Sequence, residues 1–130
     1  MNMNETQGYA QKKYSVPVKR YCQTLELKNN PEMMQEYIRR HSETCHWPEI
    51  REEIRSVGIL EMEIYLLGTK LFMVVETPLD FDWKTAFAKL AKYPRQIEWE
   101  KYMSIFQEAD PDATSSEKWK MMNRIFHLYE

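Results

Sequence analysis

Glycine is scarce in this chain: three residues in 130, Gly8, Gly58 and Gly68. They stand too far apart to build a glycine-rich loop that cradles phosphates, which excludes the common nucleotide-binding loops. Cysteine is scarcer still. Cys22 and Cys45 cannot supply a disulfide framework and suit a reducing compartment. Neither sign of charge dominates, since 18 Lys and Arg against 20 Asp and Glu leave a formal net charge of −2. Without a basic field to hold a phosphate backbone, nucleic acid is not expected as a partner. No apolar run approaches the ~20 residues that span a bilayer, and the opening MNMNETQGYAQKKYS lacks the apolar stretch of a secretory leader. The expectation is a cytoplasmic chain with no membrane partner.

What the sequence does have is 43% hydrophobic and 13% aromatic residues, enough for one ordered domain that closes its core without metal or disulfide. Residues 1–17 are polar, rich in Asn, Gln and Lys, and end at Pro17, so they read as a flexible or loosely docked tail before a domain of residues 18–130. RYCQTLEL, residues 20–27, predicts a first strand that stops at Asn29-Asn30-Pro31. Asn30 is a good N-cap with Pro31 at the first helical position, and Met34, Tyr37, Ile38 and His41 then keep helical spacing. A break follows at residues 42–47. Pro48 opens a second helix, carried by Ile50, Ile54 and Val57, which Gly58 closes. Residues 59–66 and 71–77 predict a hairpin about Leu67-Gly68-Thr69-Lys70. Asp82 caps a helix with Trp83, Ala86, Phe87 and Leu90 in line, and Pro94 starts another with Trp99, Tyr102, Met103 and Phe106. Residues 108–116 read as a polar loop and 119–129 as a last strand.

The order β, α, β, β, α, α, β describes an α+β fold, the ferredoxin-like split βαβ, with a four-stranded antiparallel sheet and helices on one face. Residues 71–77 are apolar on both faces, with Leu71, Met73 and Val75 on one and Phe72, Val74 and Glu76 on the other. One helix layer covers only one of them. A twofold-related copy is expected to cover the second face, giving a homodimer, an α/β barrel made by sheet-to-sheet packing.

Tyr37 and His41, four apart on one helix, project to the same patch on its core-facing stripe. Two readings stand side by side: an amphipathic core pair, or an acid–base pair in which imidazole shuttles a proton near neutral pH and the phenol hydrogen-bonds beside it. His41, Glu43, Cys45 and His46 crowd together, but the histidines are five apart and Pro48 disturbs the geometry. No metal is expected there. Glu43 and Glu49 oppose a thiolate at Cys45. Trp99 reads either as packing or as an aromatic face for the apolar side of a sugar ring. Glu61 and Glu63 share a strand face, where solvated or salt-bridged carboxylates are the ordinary outcome; a domain this small has little room to frame a glycosidase cleft around them.

The series Tyr37-Ile-Arg-Arg-His41, then Trp47-Pro48-Glu49-Ile50, Ile64-Tyr65-Leu66, Leu71-Phe72-Met73-Val74-Val75-Glu76 and Trp99-Glu100-Lys101-Tyr102-Met103 resembles the L-rhamnose mutarotase family in order and spacing, over roughly residues 20–128. The resemblance implies a dimeric ferredoxin-like α+β fold and an isomerase that interconverts α and β anomers of a 6-deoxy-L-hexose with no cofactor. It aligns His41 with the family's proton-donating histidine, Tyr37 with a substrate-binding tyrosine and Trp99 with the first of two substrate-binding tryptophans. Glu100 stands in place of the second tryptophan, Met62 in place of a substrate-binding tyrosine, and two extra residues lie between His41 and Trp47. The chemistry expected on that basis has His41 donating to a sugar oxygen, Tyr37 holding it and Trp99 stacking on the ring, with the complementary base unassigned and Glu100 and Glu63 as its candidates. L-Rhamnose and L-fucose are comparable substrates on this reading. The competing classes are a cofactor-independent monooxygenase-like dimer, revealed by oxygen consumption, and a non-catalytic sugar-binding dimer, revealed by binding without faster anomer exchange.

Overall fold

The computed structural model describes residues 7–129, so the first six residues of the expected tail lie outside it. The chain runs β1 (Val18–Glu26), α1 (Pro31–Arg40), α2 (Pro48–Ser56), β2 (Glu61–Leu67), β3 (Lys70–Pro78), α3 (Trp83–Leu90), α4 (Pro94–Met103), α5 (Ser115–Lys118) and β4 (Lys120–Met122). The strands form one sheet in the order β2-β3-β1-β4, antiparallel throughout. That is the ferredoxin-like topology expected from the element order.

The hairpin between β2 and β3 closes on Gly68-Thr69, with Leu67 opposite Lys70. Gly68 has φ +61°, while no other residue type has positive φ among the described residues. A two-residue turn with only its first position left-handed is type II′, which glycine enters without steric cost. Register then decides which residues meet the helices. Tyr21, Gln23 and Leu25 of β1 pair with Val75, Met73 and Leu71 of β3, and Met62, Ile64 and Leu66 of β2 continue that face. Against it pack Tyr37, Phe87, Leu90, Trp99 and Met103. Leu71 and Val75 are fully buried there, so truncating Leu71 to Ala costs about 2–5 kcal/mol.

The opposite face carries Arg20, Cys22, Thr24, Phe72, Val74 and Glu76, with Glu63 and Tyr65 from β2. Residues 7–17 form neither helix nor strand and touch this side. The Tyr9 ring lies 5.7 Å from that of Tyr65, Gln11 donates to Glu63 at 3.1 Å, and the Tyr14 hydroxyl donates to Glu76 at 3.3 Å.

The last strand departs from expectation. Residues 119–129 do not form one long strand: β4 is three residues, preceded by the single helical turn α5, which takes in the last two residues of the expected loop 108–116 and the two that follow. A capping box between Thr114 and Glu117 starts that turn, and Trp119 at its end is buried in the core. Ile125, Phe126, Leu128 and Tyr129 extend away, with Ile125 97% exposed, because beyond Met122 they find no sheet neighbour among the described residues.

Candidate active site

Helix α1 positions the first site residues, and its sequence fixes both ends. The Asn30 side chain accepts from the backbone N–H groups of Glu32 and Met33 at 3.1 Å, and Pro31 supplies the preset first turn. On its outer side Glu36 accepts from Arg39 at 2.8 Å, Arg40 at 2.9 Å and the Tyr102 hydroxyl of α4 at 3.2 Å. Bonding from Arg39 and then Arg40 holds the Glu36 carboxyl down to about 2, so it stays charged and ties α1 to α4.

The inner side carries Tyr37, 4% exposed. His41 follows at the C-cap, and its Nδ1 lies 2.7 Å from the Tyr37 carbonyl oxygen. That carbonyl is one of the helix-end acceptors that the backbone leaves unpaired. A carbonyl oxygen only accepts, so Nδ1 carries the hydrogen, and in the neutral ring Nε2 carries the lone pair. Burial pulls the imidazole below its ordinary 6.5, opposed in part by the bond to Tyr37. At neutral pH His41 is therefore uncharged, with its basic nitrogen defined. Its ring sits 4.4 Å from the Tyr37 ring and 5.3 Å from Trp99, edge to face with the latter. Burial drives the Tyr37 phenol the other way, well above its ordinary 10, so it keeps its proton. Gln107 donates to the Tyr37 hydroxyl oxygen at 3.4 Å, which leaves the phenol's own hydrogen to be donated elsewhere.

Helix α4 forms the facing wall. Gln96, Trp99 and Met103 are its buried stripe. Gln96 donates to Glu100 at 3.3 Å, and the Lys118 ammonium, with no exposed side-chain surface, lies 2.8 Å from Glu100 Oε1 and donates to Gln107 at 2.8 Å. A polar chain thus runs from Tyr37 through Gln107 and Lys118 to Glu100 and Gln96. Trp47, from the break between α1 and α2, leans on Trp99 at 5.1 Å and stacks on Tyr102 at 5.9 Å, with the Arg95 guanidinium 4.1 Å above its ring.

Gln96, Gln107 and Trp47 help to line a cavity of about 390 Å³ between the sheet and the helices, within the range of roughly 300–1,000 Å³ usual for small-molecule sites. His41, Tyr37, Trp99, Met62 and Glu100 all border it. Glu63 does not. It lies on the other sheet face, bonded to Gln11 and Tyr65, because it alternates with Met62 along β2; the reading of Glu63 as the complementary base is corrected by that register. Among the described residues no group of three His, Cys, Asp or Glu side chains is arranged to hold a metal ion, and no helix is long and apolar enough to cross a membrane. Sequence reasoning used Trp47 only as part of the resemblance and passed over Gln96, Gln107 and Lys118. Gln96 had a usable signal, lying one turn before Trp99 and Glu100 on the same stripe; Gln107 and Lys118 sit outside regular periodicity and had none.

The family profile described as L-rhamnose mutarotase matches residues 20–128. The chain belongs to the L-rhamnose mutarotase family. It is 34% identical over 113 residues to an L-fucose mutarotase of Xanthomonas campestris pv. campestris, covering 87% of this chain and 90% of that one. It is 37% identical over 118 residues to a UPF0734 protein of Dictyostelium discoideum, covering 88% and 93%, and 31% identical over 104 residues to an L-rhamnose mutarotase of Burkholderia orbicola, covering 78% and 92%. The crystal structure of an L-rhamnose mutarotase from Formosa agariphila superposes with a TM-score of 0.63 over 85% of this chain and 98% of that one, at 19% identity. That likeness shows a shared fold. Membership in a mutarotase family makes the chain one of a class of isomerases that interconvert sugar anomers.

Proposed function

We propose that the chain is a mutarotase for L-fucose or L-rhamnose, with His41 as the proton carrier. The observation that carries the reading is the fixed tautomer of His41: a neutral imidazole, its Nδ1 committed to the Tyr37 carbonyl, borders a cavity of monosaccharide scale.

Mutarotation breaks the bond between C1 and the ring oxygen while the anomeric hydroxyl loses its proton and the ring oxygen gains one. His41 Nε2 takes the proton from the anomeric hydroxyl. The two oxygens share C1, so the imidazolium just formed reaches the ring oxygen as well and delivers the proton there. The Tyr37 phenol, whose hydrogen is free of Gln107, stabilises charge developing on that oxygen. Rotation about C1–C2 presents the other carbonyl face, and the reverse steps close the ring. Only a proton moves, so the chemistry needs no electron carrier. The donating role that the resemblance implies for His41 becomes the second half of its cycle, and no separate carboxylate base is required.

The cavity walls suit such a substrate. Ile59, Met62, Met73 and Phe87 give an apolar side for the methyl group of a deoxy sugar, while Gln96 and Glu100 give a polar one. The homodimer belongs to this reading. The face bearing Phe72, Val74 and Tyr65, together with the exposed Ile125, Phe126 and Leu128, supplies the apolar surface that a second copy covers. The test is anomer exchange by saturation-transfer NMR on L-fucose, L-rhamnose and D-glucose at catalytic amounts of the chain. Exchange accelerated for a deoxy sugar and not for D-glucose supports the assignment. No acceleration for either deoxy sugar refutes it.

A further inference from the structure

We propose that Gln96 and Glu100, backed by Lys118, form a hydroxyl-pair site that takes the two adjacent hydroxyls at C3 and C4 of the sugar ring. This rests on the mutarotase reading and names the part of the substrate that the facing wall selects.

Gln96 is 4% exposed and borders the cavity. Its Nε2 donates to Glu100 Oε2, yet its Oε1 is buried with no hydrogen-bond partner among the described residues. Glu100 Oε1 also lacks an aligned hydrogen-bond donor, although the Lys118 ammonium 2.8 Å away balances its charge. Two acceptor atoms one helical turn apart, both buried beside one cavity, are a costly arrangement unless a ligand completes them. They select the ligand's chemistry. Bare acceptors repel carboxylate and phosphate oxygens and take hydroxyl hydrogens. Two of them on neighbouring side chains match two hydroxyls on neighbouring carbons. Lys118, held in place by Gln107, balances the carboxylate so that the pair is not itself a net anion. His41 occupies the end of α1 and must face C1, so the α4 wall meets the hydroxyls farther round the ring, those on C3 and C4. Both L-fucose and L-rhamnose carry that pair.

Calorimetric titration of the full chain with L-fucose, L-rhamnose and their 2-deoxy and 4-deoxy analogues tests the assignment without requiring turnover. The 4-deoxy analogue of the tighter-binding sugar binds at least about tenfold more weakly than its parent, because it leaves a buried acceptor unpaired, while the 2-deoxy analogue stays within about threefold. In Gln96→Leu and Glu100→Gln the gap between parent and 4-deoxy sugar shrinks; Gln96→Met, which keeps more of the side chain's length, serves if Gln96→Leu fails to fold. A 4-deoxy analogue that binds as well as its parent overturns the proposal, as does a gap that persists in both substituted positions, or an absence of sugar binding. Anomer exchange measured in parallel separates the two ideas. Binding with this pattern and no exchange keeps the hydroxyl-pair site and refutes the mutarotase reading; exchange without the pattern does the reverse.

Discussion

Replacing His41 separates its chemical role from its structural one. In His41→Ala the Tyr37 carbonyl loses the Nδ1–H bond now at 2.7 Å, and the rings of Tyr37 and Trp99 lose their neighbour. An unsatisfied, half-buried acceptor costs about 1–3 kcal/mol, which in a domain of this size lowers Tm by about 3–6 °C for each kcal/mol. Loss of a positioned acid–base group costs a further ~10² to 10⁴ in rate, about 2.7–5.4 kcal/mol of barrier. His41→Gln keeps an amide N–H able to reach the same carbonyl and removes the titrating nitrogen. The expected outcome is a His41→Gln protein that melts within a few degrees of the parent, by about 1 kcal/mol or less, and whose anomer exchange falls as far as that of His41→Ala. Saturation-transfer NMR gives the exchange rate and differential scanning fluorimetry the Tm. Exchange at the parental rate in His41→Gln would refute the assignment of the proton carrier, whatever the alanine variant does.

Other consequences are as direct. Since His41 must be neutral in the free enzyme, the acid limb of kcat/KM lies below the imidazole's ordinary 6.5; a limb above it contradicts the burial argument. The same shift has a stability sign: the folded state binds this proton less readily than the unfolded one, so stability present above 6.5 is lost as pH falls from there toward the folded value. That acid-side loss, followed by urea midpoints, shrinks in His41→Gln. Tyr37→Phe removes the phenol while conserving the ring, and exchange falls about 10- to 100-fold with the secondary structure intact; unchanged exchange removes Tyr37 from the mechanism. Asn30→Ala deletes the two bonds that start α1 and lowers unfolding free energy by about 1 kcal/mol, read from denaturant midpoints. Light scattering behind a sizing column gives the mass of two chains for the parent, and the paired change Ile125→Asp and Phe126→Asp shifts it toward one; a monomeric parent sinks the two-copy arrangement.

Much of this was legible because periodicity and punctuation agree. Asn30-Pro31, Trp47-Pro48, Asp82 and Tyr93-Pro94 each stand where a helix begins, and Gly68 where the hairpin turns. Tyr37 and His41 were recognisable as one patch because helical spacing is local knowledge. The last strand was not. WKMMNRIFHLY is apolar enough to be a strand, yet a strand exists only where another strand accepts it, and β1 offers β4 pairing for three residues, Cys22 to Thr24. Glu63 was misplaced for a related reason. Its parity along β2 was plain, but which parity faces the helices depends on the pairing of β2 with β3, a long-range fact. The choice between Tyr37 and His41 as core pair or as acid–base pair likewise needed the cavity.

The buried ion pair shows how stability and selection part company in this fold. Replacing such a pair with well-packed apolar groups is often neutral or stabilising by about 1–4 kcal/mol, whereas removing one partner alone costs about 3–5 kcal/mol. Lys118, with no exposed side-chain surface, and Glu100, 19% exposed, therefore do little for stability that an apolar pair would not. Nor does packing ask for them, since Trp119, one residue on from Lys118, and Trp99, one residue before Glu100, already fill the core on either side. What the pair supplies is a carboxylate beside the cavity with a counterion behind it. It is also joined through Gln107 to the hydroxyl of Tyr37. The wall proposed to recognise hydroxyls and the Tyr37 phenol thus form one unit, joined by hydrogen bonds from Tyr37 through Gln107 to Lys118 and by the ion pair from Lys118 to Glu100, and anchored on a residue that no solvent reaches. A change at Lys118 accordingly acts on recognition and on turnover together, whereas a change at Gln96, the far end of the chain of bonds, acts on recognition alone.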